Sequence, residues 1–322
     1  MSQTNLFTNS LLSLPLPFTR VPSYVIVENQ TIMKNRSYQY QQGKVNLTKI
    51  VENMAKNTYL TGGDHLEDYL KEYDKMQAIH EYETDYYFYL EDCLTVAQYI
   101  KEKYSEEVAV LNLAQRNINE VTGSWWNPYA GTQEEYIERH SAVYRLALDP
   151  SLNPYLQNQL TDKDHHIPKF GTIYTQNVPL IRDANYKLIE PYFIDIIAAS
   201  AIDLRQERWY TSFTDRKFYL GLDDEIDWNL YEQHTQIKIE TILLTALKYN
   251  QKHLILGAFG CGVFANPVSR VAKLFFSILH HPSYRSRFKS ISFAITDPLI
   301  YQQFLDAFNE SARPEMGPLC GC

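Results

Sequence analysis

The chain has 322 residues, of which 45% are hydrophobic and 21% charged, values typical of a globular protein with a large core. Its formal net charge of -8 at pH 7 disfavours nonspecific binding to DNA or RNA, because phosphate contacts need clustered lysine and arginine. No apolar run approaches the length of a membrane span, so no transmembrane helix is expected.

The first 75 residues are expected to form an N-terminal arm followed by a helical extension. Residues 1–35 contain an apolar patch that is interrupted by prolines, and no basic leader precedes it. This pattern favours an arm over a secretory signal. Residues 36–75 are polar and predict helix, with a break at TGGDH, residues 61–65.

Predicted strands and helices alternate through the main domain, which is expected to span 76–312 and to precede a flexible tail at 313–322. Apolar runs typical of buried strands cover 106–114, 171–183, 191–202, 253–259 and 290–298. Helical spacing covers 93–104, 132–148, 232–250, 267–281 and 301–310. This alternation predicts an α/β fold.

The helix predicted at 132–148 has a defined start. Thr132 is a candidate N-cap, and Glu135 stands three residues later at the capping-box position. Acidic side chains at Glu134 and Glu135 also suit the positive end of a helix dipole. From these residues alone, helix formation is a sufficient explanation for the acidic pair.

Cysteine and histidine usage predicts neither a metal site nor disulfides. The four cysteines lie at positions 93, 261, 320 and 322. Their spacing fits no zinc motif or disulfide framework, which suits a reducing compartment. The adjacent His165 and His166 have no further ligands nearby in sequence, which favours a polar loop. We therefore expect no metal and no cofactor.

Three of the 12 glycines fall within six positions, at Gly257, Gly260 and Gly262, between a predicted strand and a helix that begins near Pro267. Glycines let main-chain amides approach phosphate oxygens, and a helix N-terminus adds partial positive charge. The spacing matches neither a Walker loop nor a dinucleotide fingerprint. The residues alone leave a phosphate site and a tight packed turn equally open.

The segment 254–276, LILGAFGCGVFANPVSRVAKLFF, resembles the signature of the microbial-type poly(ADP-ribose) glycohydrolases. Further segments resemble that family in the same order, at 108–114, 132–148, 178–183, 194–203 and 290–298. The resemblance covers residues 80–310, and it implies a macrodomain-like mixed sheet flanked by helices, preceded by the N-terminal helical extension.

The resemblance also implies roles for individual residues. Glu135 corresponds to the catalytic acid–base group, with Glu134 and Gln133 positioning ribose hydroxyls. The residues expected to contact ADP-ribose in the glycine loop are Gly260, Cys261, Gly262, Val263, Phe264 and Asn266. Those expected to contact it from the other loop are Asn112, Asn119 and Gly123. Phe264 corresponds to the aromatic residue beside the ribose of the scissile bond.

One part of the sequence departs from the family. Shortly before Gln-Glu-Glu the family has three consecutive glycines, whereas this chain has Gly123, Ser124 and Trp125, followed by Trp126. Bulky side chains leave less room for a second ribose. The departure therefore favours a protein side chain as acceptor, with arginine first because its planar guanidinium can enter a slot between aromatic rings.

The resemblance thus implies an enzyme that hydrolyses the glycosidic bond between ADP-ribose and an acceptor. A poly(ADP-ribose) glycohydrolase and a non-catalytic ADP-ribose reader are the two alternatives. The wider macrodomain group includes bacterial effectors that reverse host ADP-ribosylation, including that of ubiquitin. We therefore expect an ADP-ribosylated protein, with ubiquitin as one candidate, as partner, and the cytoplasm or a host cytosol as location.

Overall fold

The computed structural model describes residues 21–74, 81–117, 126–127, 131–160, 166–206, 214–221 and 223–312, together with the backbone of residues 6–8. Its strands are β1 Leu6–Thr8, β2 Ser37–Tyr40, β3 Gly43–Asn46, β4 Thr58–Gly63, β5 Asp85–Tyr89, β6 Ala109–Leu113, β7 Phe170–Arg182, β8 Leu188–Ala199, β9 His253–Leu256 and β10 Ser290–Ala294. Its α-helices are α1 Ser23–Asn35, α2 Thr48–Lys56, α3 Leu66–Asp74, α4 Cys93–Tyr104, α5 Gln133–Ser141, α6 Arg145–Leu148, α7 Pro154–Gln157, α8 Trp228–Lys248, α9 Val268–His280 and α10 Pro298–Ser311. A short 3-10 helix spans Arg216–Tyr219.

Within the described residues one mixed sheet has the strand order β1-β5-β10-β9-β6-β8-β7-β4. The strands from β1 to β8 in that order run parallel, and β7 is antiparallel to both of its neighbours. At the centre, Ala109 of β6 stands opposite Leu254 of β9 on one side and Asp195 of β8 on the other. The predicted α/β class is confirmed, and the sheet is mixed as expected.

Helices cover both faces of this sheet because successive residues of a buried strand point to opposite sides. On β6, Leu111 packs in a core with α8, α9 and α10. Its neighbour Val110 packs in a second core with α2, α4 and α5. Both side chains are buried, which explains why β6 is a continuous apolar run rather than an alternating one.

The N-terminal predictions are correct only in part. The arm expected over residues 1–35 contains the helix α1. The region 36–75, expected to be helical, contains α2 and α3 but also the β2–β3 hairpin and the strand β4. A polar segment with little periodicity gave no signal for these strands, whose formation depends on pairing partners elsewhere in the chain.

Strand β4 shows this dependence. It pairs antiparallel with β7, from Thr58 opposite Thr175 to Gly63 opposite Phe170. The predicted break at 61–65 therefore begins inside a strand. Gly62 has a φ of 76°, and a Cβ atom there would lie 2.3 Å from the Phe170 carbonyl oxygen. Glycine is thus required for close approach to β7, and here it does not mark a loop.

Helix α1 is tied to the main domain by the buried side chain of Asn29. Its Nδ2 donates to the Arg139 carbonyl oxygen of α5 at 2.7 Å. Its Oδ1 accepts from Nε of Arg182, at the end of β7, at 2.9 Å. One amide therefore joins the N-terminal helix to both α5 and the sheet, and α1 supports the position of α5.

Most elements of the main domain follow the sequence predictions, including α4, whose bounds match the predicted 93–104. Asp92 explains its start, since its carboxylate accepts the main-chain N–H groups of Leu94 and Thr95, each at 2.9 Å. Strand β5, an aromatic run, was not predicted. Among the described helices, none is long and apolar enough to cross a membrane.

The helix predicted over 132–148 is two helices, α5 and α6. Ala142 ends α5 in the left-handed region, with a φ of 57°, and its N–H still donates to the Glu138 carbonyl at 2.8 Å. The Ser141 hydroxyl oxygen then accepts the Tyr144 N–H at 3.1 Å and starts the next turn. Helical periodicity continues across the break, so the spacing of apolar residues does not show it.

At the amino ends of the central strands, Glu106 is hydrogen-bonded to two lysines and one histidine. Its carboxylate lies 2.9 Å from Nε2 of His253, 2.8 Å from Nζ of Lys289 and 3.2 Å from Nζ of Lys252. These hydrogen bonds, that of Lys289 first, lower the pKa of Glu106 to about 2. The cluster joins the starts of β6, β9 and β10, at the edge opposite to the loops described next.

Candidate active site

The loops with candidate functional residues start at one edge of the sheet. Strands β9, β6 and β8 are parallel neighbours, so their carboxyl ends lie side by side. The glycine loop, 257–267, follows β9. Residues 114–117 follow β6, and residues 200–206 follow β8. The structure therefore brings together three separate segments, of which 114–117 and 257–267 are more than a hundred residues apart in sequence.

Contacts at this edge link the glycine loop to α5 through β6. A Cβ atom on Gly257 would lie 3.6 Å from Cδ1 of Leu113, so the start of the loop packs against the last residue of β6. The main-chain N–H of Leu113 donates to Oε1 of Gln133 at 2.7 Å. Nε2 of Gln133 donates in turn to the Leu111 carbonyl at 2.9 Å. The side chain of Gln133 thus fixes the first turn of α5 to β6.

The predicted capping box at the start of α5 is confirmed. Oε2 of Glu135 accepts the Thr132 main-chain N–H at 2.9 Å and also the Thr132 hydroxyl. Glu135 is 5% exposed, so this carboxylate lies under the surface at the sheet edge. Both contacts use Oε2, and Oε1 is the carboxylate oxygen outside the cap.

Glu134 lies beside the end of β6, where the residue as a whole is partly exposed but its carboxyl group is enclosed by protein. Its Oε2 accepts the Gln115 main-chain N–H at 3.0 Å. Burial, and secondly the negative charge of Glu138, raise the pKa of the Glu134 carboxyl well above its ordinary value. Glu138 itself is buried and lies 3.4 Å from Nη1 of Arg145. The acidic pair therefore consists of one capping carboxylate and one carboxyl that resists ionisation.

The glycine loop turns sharply at Gly260, whose φ is 75°. A Cβ atom there would lie 2.5 Å from Nδ2 of Asn266 and 2.6 Å from Cβ of Ala201, so no other residue fits without movement. Main-chain bonds close the turn, from Asn266 N to the Gly260 carbonyl and from Ala265 N to the Gly262 carbonyl, both 3.0 Å. At Gly262 a Cβ would meet no atom within 4 Å, so this part of the loop is open.

Asn266 lies inside the loop rather than on its surface. Its Nδ2 donates to the Ile202 carbonyl at 2.7 Å and to the Gly260 carbonyl at 3.0 Å. Its Oδ1 accepts the Tyr231 hydroxyl at 2.7 Å. The side chain, expected to contact ADP-ribose, thus uses both amide atoms to hold the loop against β8 and α8.

The other loop residues divide between interior and surface. Cys261 is buried, and burial raises the pKa of its thiol to about 12. Val263 is 57% exposed. Phe264 is half-buried, and the guanidinium carbon of Arg205 lies 5.2 Å from the centre of its ring. Gly262, Val263 and Phe264 therefore form the accessible part of the loop.

Asn112 is fully buried in β6, on the same face as Val110 and so towards α5. Neither amide atom makes a hydrogen bond of ordinary geometry with the described residues, nor does the Tyr144 hydroxyl, although Asn112 lies close enough to Tyr144 to act on the pKa of that hydroxyl, in the lowering direction. Buried amides in proteins are almost always hydrogen-bonded, so this position is unusual. In the structure Asn112 is an interior residue. The alternation of side chains along β6 directs it towards α5, the helix that carries the acidic pair.

Several predicted residues lie outside the described part of the chain. Asn119 and Gly123 of the expected ADP-ribose contacts lie there. So do Ser124 and Trp125, which replace glycines of the family motif, and His165 of the adjacent histidine pair. Trp126 is described and is 38% exposed. The carbonyl of Asn127 accepts from Nη2 of Arg139 at 2.8 Å, which links this short segment to α5.

Sequence reasoning missed the charged residues that follow β8 and flank the site. Arg205 binds Asp203 through Nε, at 2.9 Å from Oδ1 and 3.1 Å from Oδ2, and also through Nη2. The signal available was the charged pair directly after a buried strand. Lys238 was also missed. It lies inside α8, where a lysine is typical of a solvent-exposed helix face, so the sequence contained no signal for it.

Within the described residues, no group of three or more His, Cys, Asp or Glu side chains could hold a metal ion.

The comparisons agree with the geometry. Residues 27–183 match the model of the family described as microbial-type PARG, catalytic domain. Among solved structures, poly(ADP-ribose) glycohydrolase from Thermomonospora curvata is 23% identical, with a TM-score of 0.69, covering 90% of this chain and 98% of that one. The Deinococcus radiodurans enzyme in complex with ADP-ribose is 25% identical, with a TM-score of 0.62, covering 83% and 98%.

A third structure is the Thermomonospora curvata enzyme bound to the inhibitor ADP-HPD, 23% identical, with a TM-score of 0.66 over 89% of this chain and 98% of that one. No curated protein sequence matches the chain. The macrodomain-like fold and the family resemblance expected from the sequence are confirmed. Over residues 27–183 the chain is similar to the catalytic domain of the microbial-type poly(ADP-ribose) glycohydrolases, and its fold is that of the bacterial glycohydrolase structures.

Proposed function

We propose that this chain hydrolyses the glycosidic bond that joins the terminal ribose of ADP-ribose to an acceptor. Residues 27–183 are similar to the catalytic domain of microbial-type poly(ADP-ribose) glycohydrolases, and structures with the same fold hold ADP-ribose or ADP-HPD. One observation carries the proposal most directly. The glycine loop packs on Leu113, which is bonded to Gln133, the residue before the acidic pair. A diphosphate-binding loop and two carboxyl groups therefore converge on one edge.

The open part of the glycine loop would hold the diphosphate. Gly262 has free space where a side chain would be, and helix α9 begins at Val268, six residues later. Main-chain amides and the positive end of a helix are suited to phosphate oxygens. Phe264, fixed by the Leu204 N–H that donates to its carbonyl at 3.0 Å, would pack beside the terminal ribose.

Glu135 is the proposed acid–base residue. Its carboxyl would protonate the departing atom of the acceptor as the bond to the anomeric carbon breaks, and the carboxylate would then take a proton from the attacking water. The cap at Oε2 holds the group in one orientation and leaves Oε1 for this transfer. Glu134, whose pKa is raised, could donate its proton in a hydrogen bond to a ribose hydroxyl.

The contacts change the roles proposed for three residues of the binding set. Gln133, Asn112 and Asn266 were expected to contact ADP-ribose. Gln133 holds α5 on β6, and Asn266 holds the glycine loop. Asn112 is buried behind the acidic pair. We propose that these three shape the site, while Gly262, Val263, Phe264 and the acidic pair face the ligand.

Two acceptors are supported by different observations. The family match and the related structures support a ribose of poly(ADP-ribose). The loss of the triple glycine, with Gly123, Ser124 and Trp125 in its place, supports an arginine side chain of a protein. Ubiquitin is one candidate for that protein, by analogy with the wider macrodomain group. Both acceptors leave the same product, free ADP-ribose, so the acid–base chemistry of Glu135 is common to them.

The test is to incubate the protein with poly(ADP-ribose) and with arginine-, glutamate- and serine-linked ADP-ribosyl proteins, and to measure the free ADP-ribose released. The Glu135→Gln variant is the control for contaminating activity. Release from any of these substrates by the wild type alone supports the proposal and identifies the acceptor. Binding of ADP-ribose without release from any of them would instead make the chain a reader.

A further inference from the structure

A cluster of basic and aromatic side chains lies next to the acidic pair, on the β8 side. It consists of Arg116, Lys169, Phe218 and Lys238, and we call it the basic–aromatic cluster. Arg116 follows Gln115, whose N–H donates to Oε2 of Glu134. The Arg116 carbonyl accepts the Ile167 N–H at 2.8 Å, which brings Lys169 to the same place. The cluster is therefore adjacent to the proposed reaction centre in space.

Positive charge in the cluster is incompletely neutralised. Nζ of Lys169 lies 4.2 Å from the centre of the Phe218 ring and 5.1 Å from that of Phe170, and it has no carboxylate partner in the described residues. Nζ of Lys238 is buried and donates to the main-chain carbonyls of Ser200, at 3.0 Å, and Lys169. Only Arg116 has an acidic contact, Asp64, at 3.4 Å.

Burial first, with the neighbouring positive charges, lowers the pKa of Lys169 and lowers that of Lys238 to about 7. Asp64 and Asp215 act in the opposite direction on both lysines. Arg116 and Lys169 thus face Asp64 and Asp215, and Lys238, with a pKa of about 7, adds partial positive charge in a chain whose formal net charge is -8. Phosphate would offset the mutual repulsion of these cations, which makes the cluster a favourable place for an anion.

The aromatic part of the cluster faces solvent. Phe218 is 59% exposed, although it is a large apolar side chain. His234 stacks nearly parallel to it, at 5.8 Å between ring centres and 21° between planes, and supports it from the protein side. An exposed flat ring beside cations is a typical platform for a nucleotide base.

Contacts along residues 200–206 connect this platform to the glycine loop. Arg205 lies over Phe264, and the carbonyl of Leu204 accepts from Nη1 of Arg216 at 3.4 Å. The Asp203 carbonyl accepts the Asp215 N–H at 2.9 Å. The segment 200–206 therefore links Phe264, beside the proposed scissile ribose, to the 3-10 helix that carries Phe218.

We propose that the basic–aromatic cluster binds a second phosphate-bearing nucleotide unit, the ADP-ribose on the acceptor side of the scissile bond. Lys169 and Arg116 contact its diphosphate, and Phe218 stacks on its adenine. This inference rests on the proposed function, since it names a neighbour of that same site. An acidic peptide would use the charges but not the exposed ring, so the nucleotide fits the whole cluster better.

The test uses the full chain with Glu135→Gln, so that ligands are bound but not cleaved. Calorimetry measures the affinity for ADP-ribose and for a linear dimer of ADP-ribose. Lys169→Gln and Phe218→Ala are each expected to weaken dimer binding about tenfold and to leave ADP-ribose binding unchanged. Matched exposed controls are Lys273→Gln, on α9, and Leu299→Ala, on α10, which should change neither affinity.

The outcomes separate the two proposals. If ADP-ribose itself does not bind the parent protein, the proposed function is wrong. If ADP-ribose binds but the dimer binds no more tightly, or if Lys169→Gln and Phe218→Ala leave dimer binding intact, the cluster is not a nucleotide subsite. An acidic peptide that displaces the dimer at equal concentration would also overturn the assignment, because the base would then contribute nothing.

Discussion

Oε1 of Gln133 accepts the main-chain N–H of Leu113 at 2.7 Å, so the first residue of α5 is bonded to the last residue of β6. The same side chain returns a hydrogen bond to Leu111 at 2.9 Å. The acidic pair follows Gln133 directly, and its position relative to the sheet depends on this two-point attachment. The capping box orients the helix start, and Gln133 determines where that start lies.

Gln133→Ala removes both hydrogen bonds and leaves two main-chain groups without partners. We expect the free energy of unfolding to fall by about 1–3 kcal/mol. Turnover should fall about a hundredfold, because small displacements of a catalytic group are costly. Urea denaturation and initial rates measure the two effects. Gln98→Ala, on the exposed face of α4, is the control. Unchanged turnover in a destabilised Gln133→Ala protein would show that the attachment serves folding alone.

Glu135→Gln separates the cap from the chemistry. Glutamine can still accept the Thr132 N–H, so the helix start and the fold should persist. The amide cannot transfer a proton, so turnover should fall by about two to four orders of magnitude while ADP-ribose affinity is retained. Circular dichroism, calorimetry and ADP-ribose release measure these three properties. A full rate in this variant would shift the acid–base role to Glu134.

Gly260→Ala and Gly262→Ala form a matched pair within one loop. The first adds a Cβ at a φ of 75° and within 2.6 Å of two neighbours, so it should lower stability by about 2 kcal/mol or more. The second meets no atom, so stability should be unchanged. If main-chain amides near Gly262 bind the diphosphate, Gly262→Ala should still weaken ADP-ribose binding. Wild-type affinity in that variant would remove Gly262 from the binding surface.

Glu106 should make stability depend on acid pH. Its native pKa, about 2, lies below the ordinary glutamate value of about 4.3. Its stabilising contribution is therefore present above pH 4.3 and is lost as the pH falls through the native pKa. Because Glu106 and its lysine partners are accessible to solvent, Glu106→Gln should cost about 1 kcal/mol at pH 7, and the difference from wild type should shrink towards pH 2. Chemical denaturation measures it, with the exposed Glu107→Gln as control; a pH-independent difference would contradict the assignment.

Trp126→Gly tests the acceptor. Trp126 is 38% exposed, so its removal should leave the fold intact. If bulk in this loop excludes a second ribose, the variant should cleave poly(ADP-ribose) faster relative to arginine-linked ADP-ribose, while ADP-ribose affinity stays constant. Competition between the two substrates gives the ratio directly. Tyr155→Ala, at an aromatic residue on α7 that is 47% exposed, should leave the ratio unchanged.

Local chemistry made part of this structure predictable. The Thr132–Glu135 capping box is encoded within four residues, and the continuous apolar runs of β6, β9 and β10 report burial on both faces. Strand β4 was missed because its strand character comes from pairing with Thr175 and its neighbours. No pattern near that segment contains this information.

The same distinction applies to the site. The glycine loop and the acidic pair can both be found from the sequence, because each is a short contiguous motif. The inward orientation of Asn266 and the attachment of Gln133 to β6 cannot, since their partners lie 64 and 20 to 22 positions away. The basic–aromatic cluster combines loops after two strands with one residue of α8, and only the folded chain assembles it.

Since Glu135 closes the capping box, a single carboxylate serves both the start of α5 and the proposed proton transfer. This coupling restricts how the chain can change over evolutionary time. Glutamine is the replacement that preserves the cap, and other side chains at this position also weaken the helix. A lineage drifting from hydrolysis towards simple recognition of ADP-ribose would therefore be expected to carry Gln at position 135. Relatives with other residues there should show compensating caps at position 132 or 133.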